Sequence, residues 1–276
     1  MKMKDTYPLE TSILYENILS LGDSSQNGMQ QHLYSFYADS TFQKLVRDTE
    51  RTFADLSPLE DSLNLAFNRL KEELPTLRIP AVYTQISALN QSIIVSDSLV
   101  GISLDKYLGE NYPLYARYYY PYQRRSMQAD RIVPDVLFYY LCSEYIRRQP
   151  SQTYAETLVN IGKIQWIVYK TVGYKNVGSS LGFTTPETEW MENNESKVWY
   201  YMINNRLLSK RNTTEHEWME GDFLKNYFQT NVPAFMPMWM GTRLVGNFMK
   251  EHKGLSFYEL LACDYKTIYE TAGFAL

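Results

Sequence analysis

Apolar residues recur at helical spacing along most of the chain. In "SPLEDSLNLAFNRLKEELP", Leu59, Leu63, Ala66, Phe67, Leu70 and Leu74 fall three or four positions apart. That spacing predicts a helix that buries one stripe and leaves the rest wet. Ser57 and Glu60 have the spacing of a capping box, Pro58 suits a first helical turn, and Pro75 closes the run. The same signal recurs at Thr153 with Glu156, Thr184 with Glu187 and Ser256 with Glu259. The second of these predicts a helix reaching about Leu208. Others are predicted from near Pro134 and from about Met236 to Gly254.

One region breaks the helical period. In "PAVYTQISALNQSIIVSDSLVGISLDKYLG" (80–109), β-branched runs at Val82–Ile86, Ile93–Val95 and Leu99–Leu104 are separated by Asn-Gln and Asp-Ser turns. A hairpin or small sheet at about 80–104, flanked by helices, predicts an α+β fold that is predominantly helical. No internal repeat, low-complexity tract or long linker interrupts the chain, so a single domain over 1–276 is expected.

Composition narrows the function classes. A net charge of −4 argues against a nucleic-acid partner, because phosphate contacts usually need a basic surface. No run of 18 apolar residues exists, so no transmembrane segment is predicted. The start, "MKMKDTYPLETS", lacks the apolar core of an export signal. Cys142 and Cys263, in apolar helical surroundings, read as buried free thiols. The excess of tyrosine, 24 residues, suits half-buried walls of grooves and interfaces.

Candidate chemistry is sparse. "HEWME" (216–220) imitates part of a zinc-protease motif, but Thr214 and Glu217 place His216 in the first turn of a short helix closed by Gly221. Such a helix cannot hold two zinc ligands rigidly, and only His32 and His252 remain as partners. The stretch reads as a solvated helix start. No phosphate loop, dinucleotide turn, G-x-S-x-G or CxxC is present, and neither a metal nor another cofactor is expected. Glu189, Glu192 and Glu195 recur every three residues, so they lie on adjoining turns; the row reads first as a plain solvated face, and otherwise as one that meets a cation or arginines. "YARYYYPYQRR" (115–125) sets tyrosines among Arg117, Arg124 and Arg125, which reads as a tyrosine-rich packed connection or as a pattern able to stack peptides or sugars.

The set "SIIVSDSLVGISLDKYLGENYPLY", "YYPYQRR", "RIVPDVLFYYL", "GKIQWIVYKTV", "TEWMENNESKVWYYMINNRLL" and "SFYELLACDYKTIYETAGF" resembles the GldB-like gliding-motility lipoproteins of Bacteroidetes. The likeness runs from about residue 35 onward. It is densest at LDKYLG and at the helix carrying Trp190, Asn194, Glu195 and Trp199. Members of that family look like relatives of zinc peptidases that carry HExxH, which implies a zincin-like architecture. Laying that motif on "PDVLF" puts Pro134 and Phe138 where histidines would stand, and Asp135 in place of the general-base glutamate. Ile161 falls where a glutamate ligand would follow. The resemblance therefore implies a degenerate metallopeptidase-like scaffold without catalysis, on the periplasmic face of the cell envelope. Residues 1–30 are read as what remains of a lipoprotein N-terminus after its signal and lipid anchor are removed. The expected partner is a protein or peptide of the envelope, held in a groove of Tyr119, Tyr122, Arg124 and Arg125, with Glu192 and Glu195 across it. Two rivals stand beside this: a metal-dependent hydrolase built from Asp135, Glu192, Glu195 and His216, and a carbohydrate-binding protein using its tyrosines.

Overall fold

In the computed structural model, residues 5–18, 29–96, 98–146, 151–211, 227–228 and 232–271 are described. His32 and its neighbours are placed by backbone only, and HEWME lies outside the described residues. Helix predominates and a small sheet accompanies it, so the α+β, mainly helical class holds. Contacts divide the chain into two units, residues 1–63 with 78–136 and residues 64–77 with 137–276.

The first unit carries α1 (Pro8–Ser12, continued as a π-helical stretch Ile13–Ile18), α2 (Met29–Ala38) and α3 (Ser40–Thr52). Asp39 caps α3 by accepting the Phe42 N–H at 2.8 Å, and Leu45, Asp48 and Thr49 form its buried stripe. The next helix, α4 (Ser57–Glu73), begins differently from the sequence expectation. Ser57 lies inside the helix, and it is Asp55 Oδ1 that accepts the Ser57 N–H at 2.9 Å. Asp55 thus takes the amide that the Glu60 carboxylate would accept in a capping box, and the Glu60 N–H donates to the Leu56 carbonyl at 2.9 Å.

The strands are β1 (Ala81–Gln85), β2 (Ile93–Val95) and β3 (Leu99–Ser103), in the order β1-β3-β2. Each falls within a residue of its expected bounds. β3 is the centre: parallel to β1, with Ala81 opposite Leu99, and antiparallel to β2, with Ile93 opposite Ile102. Its four residues Val100–Ser103 are buried on both faces, as a central strand requires. Gly101 has no side chain because Tyr83 lies over it; a Cβ there would stand 2.6 Å from the Tyr83 hydroxyl. After β3 come 3₁₀ turns at Leu104–Lys106, Tyr115–Arg117 and Ala129–Arg131, a short α5 (Pro121–Arg125) and then α6 (Ile132–Tyr145).

The second unit is built on α7 (Tyr154–Val172) and α10 (Met236–Glu251), with α8 (Val177–Ser180), α9 (Thr185–Asn204), α11 (Phe257–Ala262) and α12 (Tyr265–Thr271) around them. The expected caps are formed: Thr153, Thr184 and Ser256 accept the N–H of Glu156, Glu187 and Glu259. Helix α9 ends at Asn204, short of Leu208, which sits in a 3₁₀ turn; α10 ends at Glu251, three residues before Gly254. α7 and α10 meet glycine to glycine. A Cβ on Gly162 would lie 2.3 Å from the Gly241 carbonyl, and one on Gly241 2.1 Å from the Leu158 carbonyl oxygen. The two backbones touch, and Ile164, Ile167, Leu244 and Val245 close around them with no exposed surface. α7 terminates at Gly173 in the left-handed conformation (φ +82°), and the Arg69 guanidinium donates to the Thr171 carbonyl at 2.9 Å. Cys142 and Cys263 are free thiols, partly rather than fully buried.

Candidate functional site

The polar centre of the first unit is the LDKYLG turn. Asp105 is fully buried and accepts N–H bonds from Ser87 (2.9 Å) and Leu89 (2.6 Å). Its own carbonyl accepts the Tyr115 hydroxyl at 2.6 Å. Beside it, Lys106 Nζ donates to the carbonyls of Leu89 (3.4 Å) and Asn90 (3.2 Å) and to the Tyr119 hydroxyl (2.7 Å), with the ammonium 4.1 Å from that ring's centroid. Tyr119 in turn donates to the Leu89 carbonyl. Burial pushes the Asp105 carboxyl up and the Lys106 amine down to about 8; each one's charge, and for Asp105 the amide bonds, oppose the shift.

These bonds converge on a strained loop. Ala88 (φ +53°) and Leu89 (φ +65°) occupy the left-handed region in succession, which costs on the order of 1–2 kcal/mol for each residue bearing a Cβ. Asp105 grips the Leu89 N–H while Tyr119 and Lys106 grip its carbonyl. The loop is therefore held from both sides of one peptide residue.

The tyrosine run reads as an alternation of anchors and presented rings. Tyr115 is buried and Tyr119 half-buried, both committed to the Asp105–Lys106 pair. Tyr118 and Tyr120 stand 67% and 68% exposed, and the Tyr120 ring stacks on Tyr122 at 5.9 Å and 7° between planes. Arg124 and Arg125 follow on α5, half-buried. Tyr112, whose hydroxyl is pushed up to about 12 chiefly by desolvation, donates to Asp48 at 3.0 Å; Asp48 also holds Lys44 and Arg51.

Of the positions matched to a metal helix, Pro134 is buried in the first turn of α6. Asp135 is half-buried and accepts the Tyr107 hydroxyl at 2.9 Å. Desolvation raises its carboxyl to about 6, against the pull of Arg131 and of that bond. Phe138 packs edge-on against Tyr139, and Ile161 is a core residue of α7. In the second unit Glu192 is exposed on α9, whereas Glu195 turns inward. Its two oxygens receive the Arg243 guanidinium as a fork, 2.9 Å to each, and Oε2 also accepts Trp239 Nε1 at 3.1 Å. Arg243 is thus the partner of Glu195 alone, and Glu189 and Glu192 of the same row are exposed. His216 lies outside the described residues. Among the described residues no three His, Cys, Asp or Glu side chains gather as a metal site needs.

Sequence reading missed the central roles of Asp105, Lys106 and Arg243, and the exposure of Tyr118 and Tyr120. One signal was available: an Asp-Lys pair directly after the apolar run LVGIS, where a continuous strand leaves a core.

Among the described residues no helix is long and apolar enough to cross a membrane. No curated protein and no solved structure matches the chain. Its residues 1–275 match the family described as gliding motility protein GldB, whose name marks it as a lipoprotein family and so suggests a cell-envelope location. The LDKYLG turn, which supplies the buried Asp105 and Lys106, and the Trp190–Trp199 helix, which supplies Glu195 to the Arg243 fork, both lie within the matched residues, and the chain belongs to the GldB gliding-motility family.

Proposed function

We propose that this GldB-family chain is a non-catalytic binding component of the cell envelope, a degenerate metallopeptidase-like scaffold that holds a polypeptide partner on the periplasmic face. The observation that carries the reading is the tyrosine alternation. Tyr115 fastens the 115–122 segment to the Asp105 backbone carbonyl and Tyr119 fastens it to the Lys106 ammonium and the Leu89 carbonyl, while Tyr118 and Tyr120 are offered to solvent. Rigid aromatic side chains lose little entropy on docking, so a surface anchored in this way suits partner recognition. Tyr122, Arg124 and Arg125 extend the same face with half-buried polar groups able to meet peptide carbonyls and carboxylates.

In this reading the metal chemistry of a peptidase is gone. Pro134, Phe138 and Ile161 bring no donor atom for a metal, and Asp135 is tied to Tyr107. The test is site-specific photo-crosslinking from position 120 of the full chain in envelope extract. The expected product is one discrete polypeptide adduct, at least tenfold reduced by Tyr118→Ser or Arg125→Ala. An adduct pattern identical to that from the exposed but unrelated Tyr200 would end this reading. Stoichiometric zinc, together with peptide hydrolysis, would instead restore the hydrolase.

A further inference from the structure

We infer that the second unit holds a binding site for a small organic anion, one that joins a phosphate or carboxylate to a flat apolar body. The site is a pocket of about 200 Å³ between α7 and α10. The two helices touch at Gly162 and Gly241, stay close where Gly246 faces Trp166, and then leave this space between them. From α7 come Trp166, Tyr169 and Lys170, and from α10 Arg243, Gly246 and Lys250. Val177 and Met249 complete an apolar wall.

Charge and shape together select the ligand. Three cations surround the pocket in a chain whose net charge is −4. Glu195 neutralises only Arg243, and by engaging Nε and Nη2 it fixes the guanidinium plane before any ligand arrives. Lys170 and Lys250 have no carboxylate within ion-pair distance among the described residues. Lys170 lies instead over aromatic faces, 5.5 Å from the Trp166 centroid and 4.9 Å from that of Tyr169. An anion is thus drawn by two cations that it need not take from a partner, and a planar body finds two aromatic rings beside them. The volume is below the roughly 300–1,000 Å³ of drug-sized sites, which sets the ligand's size as small. Gly246 is what keeps the space open. A Cβ there would meet Trp166 only at 3.6 Å, ordinary contact, so a longer side chain can grow into the pocket without pushing the helices apart.

The experiment is calorimetric titration of the purified full chain with phenyl phosphate, benzoate, benzyl alcohol and inorganic phosphate. Phenyl phosphate is expected to bind, and to bind at least tenfold more tightly than benzyl alcohol, which lacks the charge, or inorganic phosphate, which lacks the ring. Gly246→Leu, which fills the pocket, and the double variant Lys170→Gln/Lys250→Gln are each expected to weaken it tenfold or more. The second variant alters only exposed side chains, so it decides the matter even if Gly246→Leu disturbs the fold. Failure of both anions to bind the folded chain, or equal binding by the lysine variant, overturns the site. Inorganic phosphate binding as well as phenyl phosphate overturns the ligand class.

Discussion

At the heart of one unit lies a carboxylate, and at the heart of the other a pair of glycines. Asp105 and Gly241 are both fully enclosed, yet their neighbourhoods are stabilised in opposite ways. Around Asp105 two amides, a lysine and two tyrosines satisfy one another, and the backbone of Ala88–Leu89 is bent to suit them. At Gly241 no polar network is needed: two helices approach until their backbones touch, and aliphatic residues seal the contact. A polar centre fixes one geometry because an unmade hydrogen bond there is costly; an apolar crossing fixes it by exclusion of volume. The first arrangement sets a loop by its hydrogen bonds, the second sets a helix crossing by its lack of side chains.

The largest break in this comparison comes from removing the carboxylate. Asp105→Ala leaves the Ser87 and Leu89 amides buried without an acceptor, at about 1–3 kcal/mol for each. A loss of about 4 kcal/mol in urea unfolding is expected, with Asp105→Asn recovering part of it through its remaining carbonyl. An Ala variant as stable as the parent would mean the loop relaxes to another conformation and that Asp105 is not its clamp.

Next in size is the crossing. Gly241→Val drives carbon atoms into the Leu158 carbonyl and should cost about 3 kcal/mol by overpacking. Gly246→Ala, one turn on and in ordinary contact with Trp166, is the control. It should be neutral or gain up to about 1 kcal/mol from helix propensity. Equal midpoints for the two variants would remove the distinction between a glycine that must be there and one that merely leaves room.

The two centres were not equally legible in the sequence. The helices and strands could be read because apolar period and caps are local: Thr184–Glu187 and Ser256–Glu259 form as the residues require, and all three strands lie near their expected bounds. The Ser57 box does not form, because Asp55 takes the Ser57 amide and the Leu56 carbonyl takes that of Glu60. Parallel pairing of β1 with β3 has no local signature, since it depends on how a 13-residue connection folds back. The site was harder still. LDKYLG drew notice only through resemblance; nothing in its letters says that Asp105 reaches back across 18 residues to Ser87. Nor does Glu195 announce a partner 48 positions away. Long-range polar pairs carry no period, so they are seen only once the chain is folded.

The first unit should also answer to pH, through Asp135 and Lys106. The Asp135 carboxyl is raised from 3.8 to about 6 in the folded chain. As pH falls through 6 the folded state takes up a proton that the unfolded state accepts only near 4, so acidification across that window adds stability at this group. Asp135→Asn should therefore be more stable than the parent at pH 7.5, by about 2 kcal/mol, with the gain shrinking through pH 6 and absent near pH 4. Lys106 works from the other side. Its amine falls from 10.5 to about 8, so the unfolded chain holds more protons between those values and stability at this group rises with pH there. A flat difference between Asp135→Asn and the parent from pH 4 to 8 would show that the carboxyl titrates as an ordinary one.

The smallest expected effect sharpens the comparison by testing a polar pair placed outside either centre. Glu195 and Arg243 form a two-point fork, but their side chains keep 16% and 32% of their exposure. Water therefore competes for both groups, and the attraction is closer to that of a surface pair than of a buried one. Glu195→Gln should cost about 1 kcal/mol: it removes the charge yet leaves a carbonyl for Trp239 Nε1 and for one arm of the guanidinium. Raising salt should narrow the difference between parent and variant, while leaving the cost of Asp105→Ala unchanged. If Glu195→Gln proved as damaging as Asp105→Ala and insensitive to salt, the second unit too would have a polar centre, and the division between a clamped unit and a packed one would fall.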